Sequence, residues 1–474
     1  MDAKKLKEKL FKTNKNAWDS IEEKEKKQIF DFNEKYKNFI SENKTERECI
    51  KAIEEKLKQN HFVNIDEYDE LKAGQKIYYI NRDKSIYIAI LGEKSPEEGF
   101  NMIGAHIDSP RLDLKPNPLY EDNELAMFKT HYYGGIKKYQ WVNIPLSMHG
   151  VIVKSTNDII DVKIGEDEND PIFTIADLLP HLASKQEKKS LKDGIEAENL
   201  NIIVGSIPYE GDIDERVKLN ILNILFEKYG IKEEDFVSAE IEFTPAMKAR
   251  DLGFDRALVA GYGQDDRVCA YTSLEAILSI ENPNRTCVCI LADKEEIGSM
   301  GNTGMYSHTF EYFIEKILEK TIGDEGNTLN RVFNHSKLLS ADVTGAYNPN
   351  YPDIYEKNNE SYLNHGISII KYTGSASKGG ASDANAEYVG YVRQIFEENN
   401  IKYQVSEMGK IGIGGGGTIA YILADRGIDV LDCGVPVLSM HSPYEITSKF
   451  DVYNAYKAYK VFFEYDKEDG FEYE

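Results

Sequence analysis

Five apolar runs in this sequence end in side chains that can hold a metal ion or move a proton. They are MIGAHIDSPRLD with His106 and Asp108, VAGYGQDDRVCAY with Asp265, CILADKEEIGSMG with Glu295 and Glu296, LLSADVTGAYNP with Asp342, and VPVLSMHSPYE with His441. Two imidazoles and four or more carboxylates form a hard-to-borderline donor set suited to Zn²⁺, Co²⁺ or Mn²⁺, unlike the thiolate sets of structural zinc. A pair of such ions needs one carboxylate as a bridge. In His106-x-Asp108 the two side chains point the same way if the strand continues, so the imidazole can bind metal while the carboxylate takes its other N–H. Adjacent Glu295 and Glu296 must diverge, which lets one hold a metal while the other faces water as a general base, the division of labour that metal-assisted hydrolysis requires. Each pair alone is common on solvated surfaces; the argument rests on the whole set.

Open α/β sheets bind ligands beyond the carboxyl ends of their strands, so these positions can share one crevice although they run from 106 to 441. The surrounding elements fit. From Lys4 to about Asn60, apolar residues at helical spacing predict two or three amphipathic helices. KIYYI, SIYIAILG and GFNMIGAHID then read as successive strands. From about Leu258 onward, buried strand-like runs, ALVAGYG and VLDCGVPVLSM among them, alternate with helices. That alternation predicts an α/β fold, a three-layer α-β-α catalytic domain on a mixed, largely parallel sheet. Between them the texture changes to short alternating stretches (HGVIVKS, IIDVKIG, PIFTI, NLNIIVGSI) and one helix near Val217 to Tyr229. We therefore expect a discontinuous catalytic domain, 1–118 and 249–474, interrupted by an inserted, mainly β domain at 119–248. GIGGGGT at 412–418 lacks the Lys-Ser/Thr ending of a phosphate loop. It reads instead as a Gly-rich turn beside the substrate, with Gly415 and Gly416 at its centre.

Composition narrows the partners. The 474 residues are 41% hydrophobic and 29% charged, as in a folded globular protein. Against 57 Lys and Arg stand 81 Asp and Glu, a net charge of −24 that repels phosphate backbones and anionic headgroups. Neither nucleic acid nor membrane is expected as a partner. MDAKKLKEKL has no apolar core of a secretory signal, and no window reaches the roughly 18 apolar residues of a membrane span. The five cysteines, Cys49, Cys269, Cys287, Cys289 and Cys433, are odd in number and mostly sit in apolar runs, which fits a reducing, cytoplasmic setting. Cys287 and Cys289 should face the same side of one strand.

The chain resembles the aspartyl aminopeptidases and their bacterial relatives, co-catalytic zinc metallo-aminopeptidases of metallopeptidase family eighteen. The likeness covers nearly the whole chain. It rests on GAHIDSPRLDLKP, on the order H-x-D, Asp, Glu-Glu, Asp, His, on IADLLPHLA, and on GGGGTIAYILADRGIDVLDCGVPVLSMHSPYE. The resemblance implies that His106 and Asp342 hold one divalent metal, Glu296 and His441 the other, and Asp265 bridges them. Zinc is the first choice, cobalt or manganese the alternatives. Glu295 becomes the general base and Asp108 the partner of His106. His181, in IADLLPHLA, would reach a neighbouring subunit's site from an insert that serves as dimerisation domain, and stabilise the tetrahedral intermediate. Homo-oligomerisation into a tetrahedral dodecamer built from dimers is implied as well. This sequence departs from the eukaryotic pattern at Asp266-Arg267, where Asp-Asn is usual, and in KYTGSASKGGASDAN. An implied preference for acidic N-terminal residues therefore rests on Lys378, which can pair with a substrate carboxylate.

Hydrolysis of the first peptide bond of peptide substrates is the reading that results. Two others compete: deacylation of N-acylated amino acids on the same fold, and a catalytically inactive self-assembling shell. Maintaining five ligands and a base in one cluster of buried charge argues against the shell.

Overall fold

Alternation within single strands fixes the layering of the molecule. In the strand Cys287–Ala292, Cys287, Cys289 and Leu291 enter one hydrophobic core, while Val288, Ile290 and Ala292 enter another on the opposite face. A computed structural model describes residues 2–12, 15–323, 328–374 and 377–467. It places that strand inside a nine-stranded sheet. The order is Val63–Asn64, Lys76–Asn81, Ser85–Ile90, Cys287–Ala292, Asn101–His106, Lys337–Ser340, Asp429–Gly434, Ile367–Ile370 and Tyr403–Val405. Strands four to seven of that order run parallel, and antiparallel pairings flank them. Sheets buried on both faces need near-continuous apolar strands, which is how these read.

Helices Glu23–Glu42, Glu46–Gln59, Gln264–Leu278, Ala386–Glu398 and Lys449–Glu464 bury their apolar stripes against the first face. Thr309–Thr321, Thr328–Asn334 and Ala420–Ala424 cover the second. Glu46–Gln59 shows why such a segment is helical. The Thr45 side chain accepts the Glu48 N–H, Glu46 and Glu48 lie in the first turn, and Lys56 and Lys58 close the last. Cys49, Ile50, Ile53 and Leu57 line its buried stripe, and each fully buried aliphatic side chain of this size is worth about 1.5–3 kcal/mol relative to exposure. The two remaining layers and the sheet make the three-layer α/β architecture expected from the sequence.

A second sheet of six antiparallel strands is ordered Ile159–Ile164, Leu146–Val153, Ala239–Pro245, Arg111–Asp122, Leu125–Tyr133 and Ile202–Gly205. It has its own core around Trp141, Phe128, Phe236 and Phe243, against which Val217 of the helix Arg216–Tyr229 packs.

One run assigned from sequence to the large sheet, ALVAGYG, and the second half of another, VLDCGVPVLSM, lie elsewhere. Leu258–Gly261 and Pro436–Leu438 join Arg250–Leu252, Glu445–Ser448 and Thr344–Gly345 in a separate five-stranded sheet. Runs of three or four apolar residues carry no information about their partner strands, so their sheet is decided by tertiary packing. All five cysteines are buried and free, with Cys287 and Cys289 on one face as expected. Among the described residues, no helix is long and apolar enough to cross a membrane.

Candidate metal centre

His106 is the last residue of the central strand Asn101–His106, and its neighbours deliver the rest of the cluster. Parallel pairing sets Ala292 opposite His106, so the turn after Ala292 brings Glu295 and Glu296, in the short 3-10 helix Glu295–Ile297, to the same strand ends. Lys337–Ser340 pairs on the other side and carries Asp342 two residues beyond its end. Asp265 and His441 arrive from the small sheet. There Leu258–Gly261 pairs antiparallel with Glu445–Ser448, and Pro436–Leu438 lies on the other side of Glu445–Ser448.

The Asp265 carboxylate stands between the two imidazoles. One oxygen is 3.2 Å from His106 Nε2 and the other 3.0 Å from His441 Nε2. Glu296 Oε2 is 3.3 Å from His441 Nε2, while Glu295 Oε2 and Asp342 Oδ1 lie 3.8 and 4.0 Å from His106 Nε2. The ring orientations are fixed from behind. His106 Nδ1 is 3.0 Å from the backbone carbonyl of Asp108 and 3.3 Å from its carboxylate. His441 Nδ1 is 2.9 Å from the Gly135 carbonyl. Nδ1–H donation to those carbonyls aims both Nε2 atoms at Asp265, the atoms that would serve as ligands once deprotonated.

Four further residues belong to this arrangement and were not foreseen as parts of it, or only as a doubt. Glu445, fully buried, accepts the N–H groups of Gln264 (2.5 Å), Asp265 (3.1 Å) and His441 (2.8 Å), tying two cluster residues to one side chain. Its place four residues after His441 was the only available hint. Tyr133 donates its O–H to Asp108 Oδ2 at 2.8 Å. Nothing in KTHYYGG marks it. The chain then passes so close that a Cβ on Gly134 would sit 3.2 Å from Glu296 Oε2. Asp266, noted in sequence as a rival for the bridge, is fully buried and accepts the His106 backbone N–H at 3.3 Å.

Six carboxyls (Asp108, Asp265, Asp266, Glu295, Glu296, Asp342) thus face two imidazoles. Burial, helped by neighbouring carboxylates and opposed by the imidazoles, pushes Asp266, Glu296 and Asp342 well above the ordinary carboxyl range and Glu295 up to about 7. Asp265 is the exception. Burial would raise it, but hydrogen bonds from His106 and His441 outweigh that and hold it low. Burial pulls His441 down, and Asp265 and Glu296 overcome it to raise that imidazole to about 10. Glu296 Oε1 and Asp266 Oδ1 are buried with no hydrogen-bond partner, a costly state unless a cation satisfies them. Two overlapping groups have ligand atoms within 4.8 Å of one another: His106, Asp265 and Glu296, and His106, Asp266 and Asp342. The donor set, its negative excess and its orphaned oxygens fit divalent metal.

A family model described as aminopeptidase I zinc metalloprotease (M18) matches residues 39–463. The chain belongs to this family. It is accordingly a zinc-dependent aminopeptidase, a metalloexopeptidase of the hydrolase class. A probable M18 family aminopeptidase 1 from Clostridium acetobutylicum is 51% identical over 458 residues, covering 96% of this chain and 98% of the relative. The crystal structure of an M18 aminopeptidase from Thermotoga maritima superposes with a TM-score of 0.92 at 44% identity, over 96% of this chain and all of that one. The structure of aminopeptidase I from C. acetobutylicum gives 0.90 at 49% identity, over 96% and 100%.

The aminopeptidase has a cavity of about 270 Å³ that Asp342 shares with Lys378, Gly415 and Gly416, so the three substrate-side residues named from sequence meet at the cluster's edge. Lys378 is committed within it, 3.0 Å from Asp383 and 4.0 Å above the Tyr372 ring. His181 lies in the 3-10 segment Pro180–Lys185 with its side chain exposed, and among the described residues it makes no hydrogen bond or ion pair with the cluster.

Proposed function

We propose that the enzyme holds two zinc ions in this cluster and uses Glu295 as the general base that cleaves the first peptide bond of peptide substrates. The observation that carries the reading is the Asp265 carboxylate with one oxygen on each imidazole, the disposition a bridging ligand needs. His106 and Asp342 would complete one coordination sphere, and His441 and Glu296 the other. When bound, the ions supply Lewis acidity toward the substrate carbonyl and toward water, and cobalt or manganese would serve in the same way. Glu295 is suited to its role because burial has already moved its carboxyl up to about 7, close to the operating pH of a proton shuttle. Its oxygen takes a proton from the attacking water and returns it to the departing amine. Glu296, on the same short turn, is turned toward His441.

Lys378 supports a preference for acidic N-terminal residues, the substrate carboxylate taking the place of Asp383. The segment 119–248 would act as a dimerisation domain. Leu178, Leu179 and Leu182 around His181 are exposed, as are Ile207, Ile213 and Phe226, and a second copy covering them would remove apolar side chains from water. Such dimers would build the tetrahedral dodecamer and bring His181 to a neighbour's site. Five free, buried cysteines agree with a cytoplasmic location.

The test combines metal content with a single substitution. Two zinc ions per chain and a fall in kcat by a factor of about 10² to 10⁴ in Glu295→Gln, with both ions retained, are expected. One ion per chain, or near-normal kcat in the variant, would overturn the reading.

A further inference from the structure

The wall of the substrate cavity is a segment that cannot hold itself. Positions 409–418 contain glycine at 409, 412, 414, 415, 416 and 417, and glycine loses more conformational freedom on folding than any other residue. Gly409 has φ +76°, and a Cβ on Gly414 would lie 1.9 Å from the Met408 carbonyl oxygen, so the path of the chain demands these residues while they supply no packing. Yet Gly414, Gly415 and Gly416 line the cavity beside Asp342.

Both ends of the segment are tied to buried carboxylates. Glu360 Oε1 accepts the Gly409 N–H at 2.8 Å, and Asp432 Oδ1 accepts the Thr418 O–H at 2.8 Å. Thr418 Oγ1 in turn accepts the Ala420 N–H at 3.2 Å, joining this end to the helix Ala420–Ala424. Asp432 sits on the large sheet, paired in register with Ser340, two residues before Asp342. The Lys410 N–H to Ile354 carbonyl and Gly374 N–H to Gly416 carbonyl bonds, both 2.9 Å, add intermediate points. Glu360 Oε2 and Asp432 Oδ2 are buried without a hydrogen-bond partner. Neither carboxylate is among the cluster's candidate ligands, so burying them needs another account.

We infer that Glu360 and Asp432 are positioning residues that pin segment 409–418 at Gly409 and Thr418, keep the substrate cavity preformed, and thereby set its selectivity for the N-terminal residue. The role in selectivity rests on the aminopeptidase reading of the cavity; the pinning itself does not. A preformed wall discriminates because the substrate does not have to order it on binding.

The test uses the full-length zinc enzyme and two pairs of variants. Glu360→Ala and Thr418→Val each remove one anchor, whereas Glu360→Gln and Thr418→Ser keep an acceptor or a donor in place. Kinetics on a panel of aminoacyl p-nitroanilides, metal content and amide hydrogen exchange across 409–418 are measured together. The anchor-removing variants are expected to raise KM for the preferred residue about tenfold and to compress the ratio between best and worst residues by a similar factor. Their kcat should stay within about threefold and zinc should be retained. Exchange at amides 409–418 should accelerate by about tenfold or more, and the conservative variants should lie within about threefold of the parent throughout. Unchanged exchange in Thr418→Val overturns the pinning, and should Glu360→Ala fail to fold, Thr418→Val alone decides. Accelerated exchange with an intact selectivity ratio, or a kcat loss equal for all substrates, overturns the role in selectivity. If the parent enzyme hydrolysed no aminoacyl substrate, the aminopeptidase reading would fail, and exchange would still decide whether the anchors hold the loop.

Discussion

The carboxylate of Asp108 grips the backbone of Glu295. The Glu295 N–H donates to Asp108 Oδ1 and the Glu296 N–H to Oδ2, each at 3.2 Å, and Tyr133 O–H adds a third bond at 2.8 Å. Because the same carboxylate stands 3.3 Å from His106 Nδ1, one buried group fixes a candidate ligand and the turn that carries the proposed base. Asp108→Asn replaces one of two acceptor oxygens with a donor facing an N–H or O–H. Zinc affinity is expected to fall about 10- to 100-fold, the usual effect of losing a group behind a ligand, with a parallel loss of kcat at saturating zinc. Competition against a chelator of known affinity measures the first. Unaltered affinity would mean that Asp108 only packs.

Asp265→Ala removes the carboxylate that touches both imidazoles. Loss of at least one ion from each chain is expected, since a bridge contributes to both coordination spheres. Elemental analysis after dialysis decides it. Full occupancy of both sites would move the bridge to Asp266, which already lies beside His106 and Asp342.

His181 is argued to serve a neighbouring subunit. Losing an oxyanion donor costs about 10² to 10³ in kcat, so His181→Ala and a dissociated protomer should share that deficit, with KM little changed. Mixing His181→Ala with Glu295→Gln subunits under exchange conditions should restore part of the activity, because hybrids hold some sites with an intact base and an intact histidine. Hybrids that form and remain inactive would confine His181 to its own chain.

A different histidine joins the second sheet to the catalytic layers. His149 Nδ1 is 2.9 Å from Glu48 Oε1, and its Nε2 is 3.1 Å from Glu166 Oε1, with Lys163 and Lys44 on the same carboxylates. Burial pulls His149 down, but the two carboxylates raise it above its ordinary value. Burial raises Glu48 and Glu166, and bonds to His149 lead the groups that bring each to about 2. The carboxylates' contribution to stability is present above their unfolded value of 4.5 and lost as pH falls toward 2. The imidazole's is complete below its unfolded value of 6.5 and lost as pH rises through the raised one. His149→Gln should therefore destabilise most between those two values, by about 3 kcal/mol. Denaturant unfolding at pH 5.5 and 8.5 measures the difference. An equal effect at both would remove the charge from the explanation.

The sequence by itself determined which candidate side chains stand at the strand ends, because periodicity and apolar runs are local. His106 ends a strand of the large sheet, Glu295, Glu296 and Asp342 each follow one, and the parallel register that brings them together is the ordinary consequence of buried strands. The two-faced packing of Cys287–Ala292 was readable for the same reason. Tertiary structure alone decided the rest. Asp265 and His441 come from a small separate sheet, and runs as short as Leu258–Gly261 and Pro436–Leu438 do not encode their partners. Tyr133 and Glu445 matter only through the atoms they meet, Asp108 in one case and the backbone of Asp265 and His441 in the other. Such hydrogen bonds span separations from 4 to 180 residues in sequence, and no pattern within a chain records a contact that exists only once the chain has closed on itself.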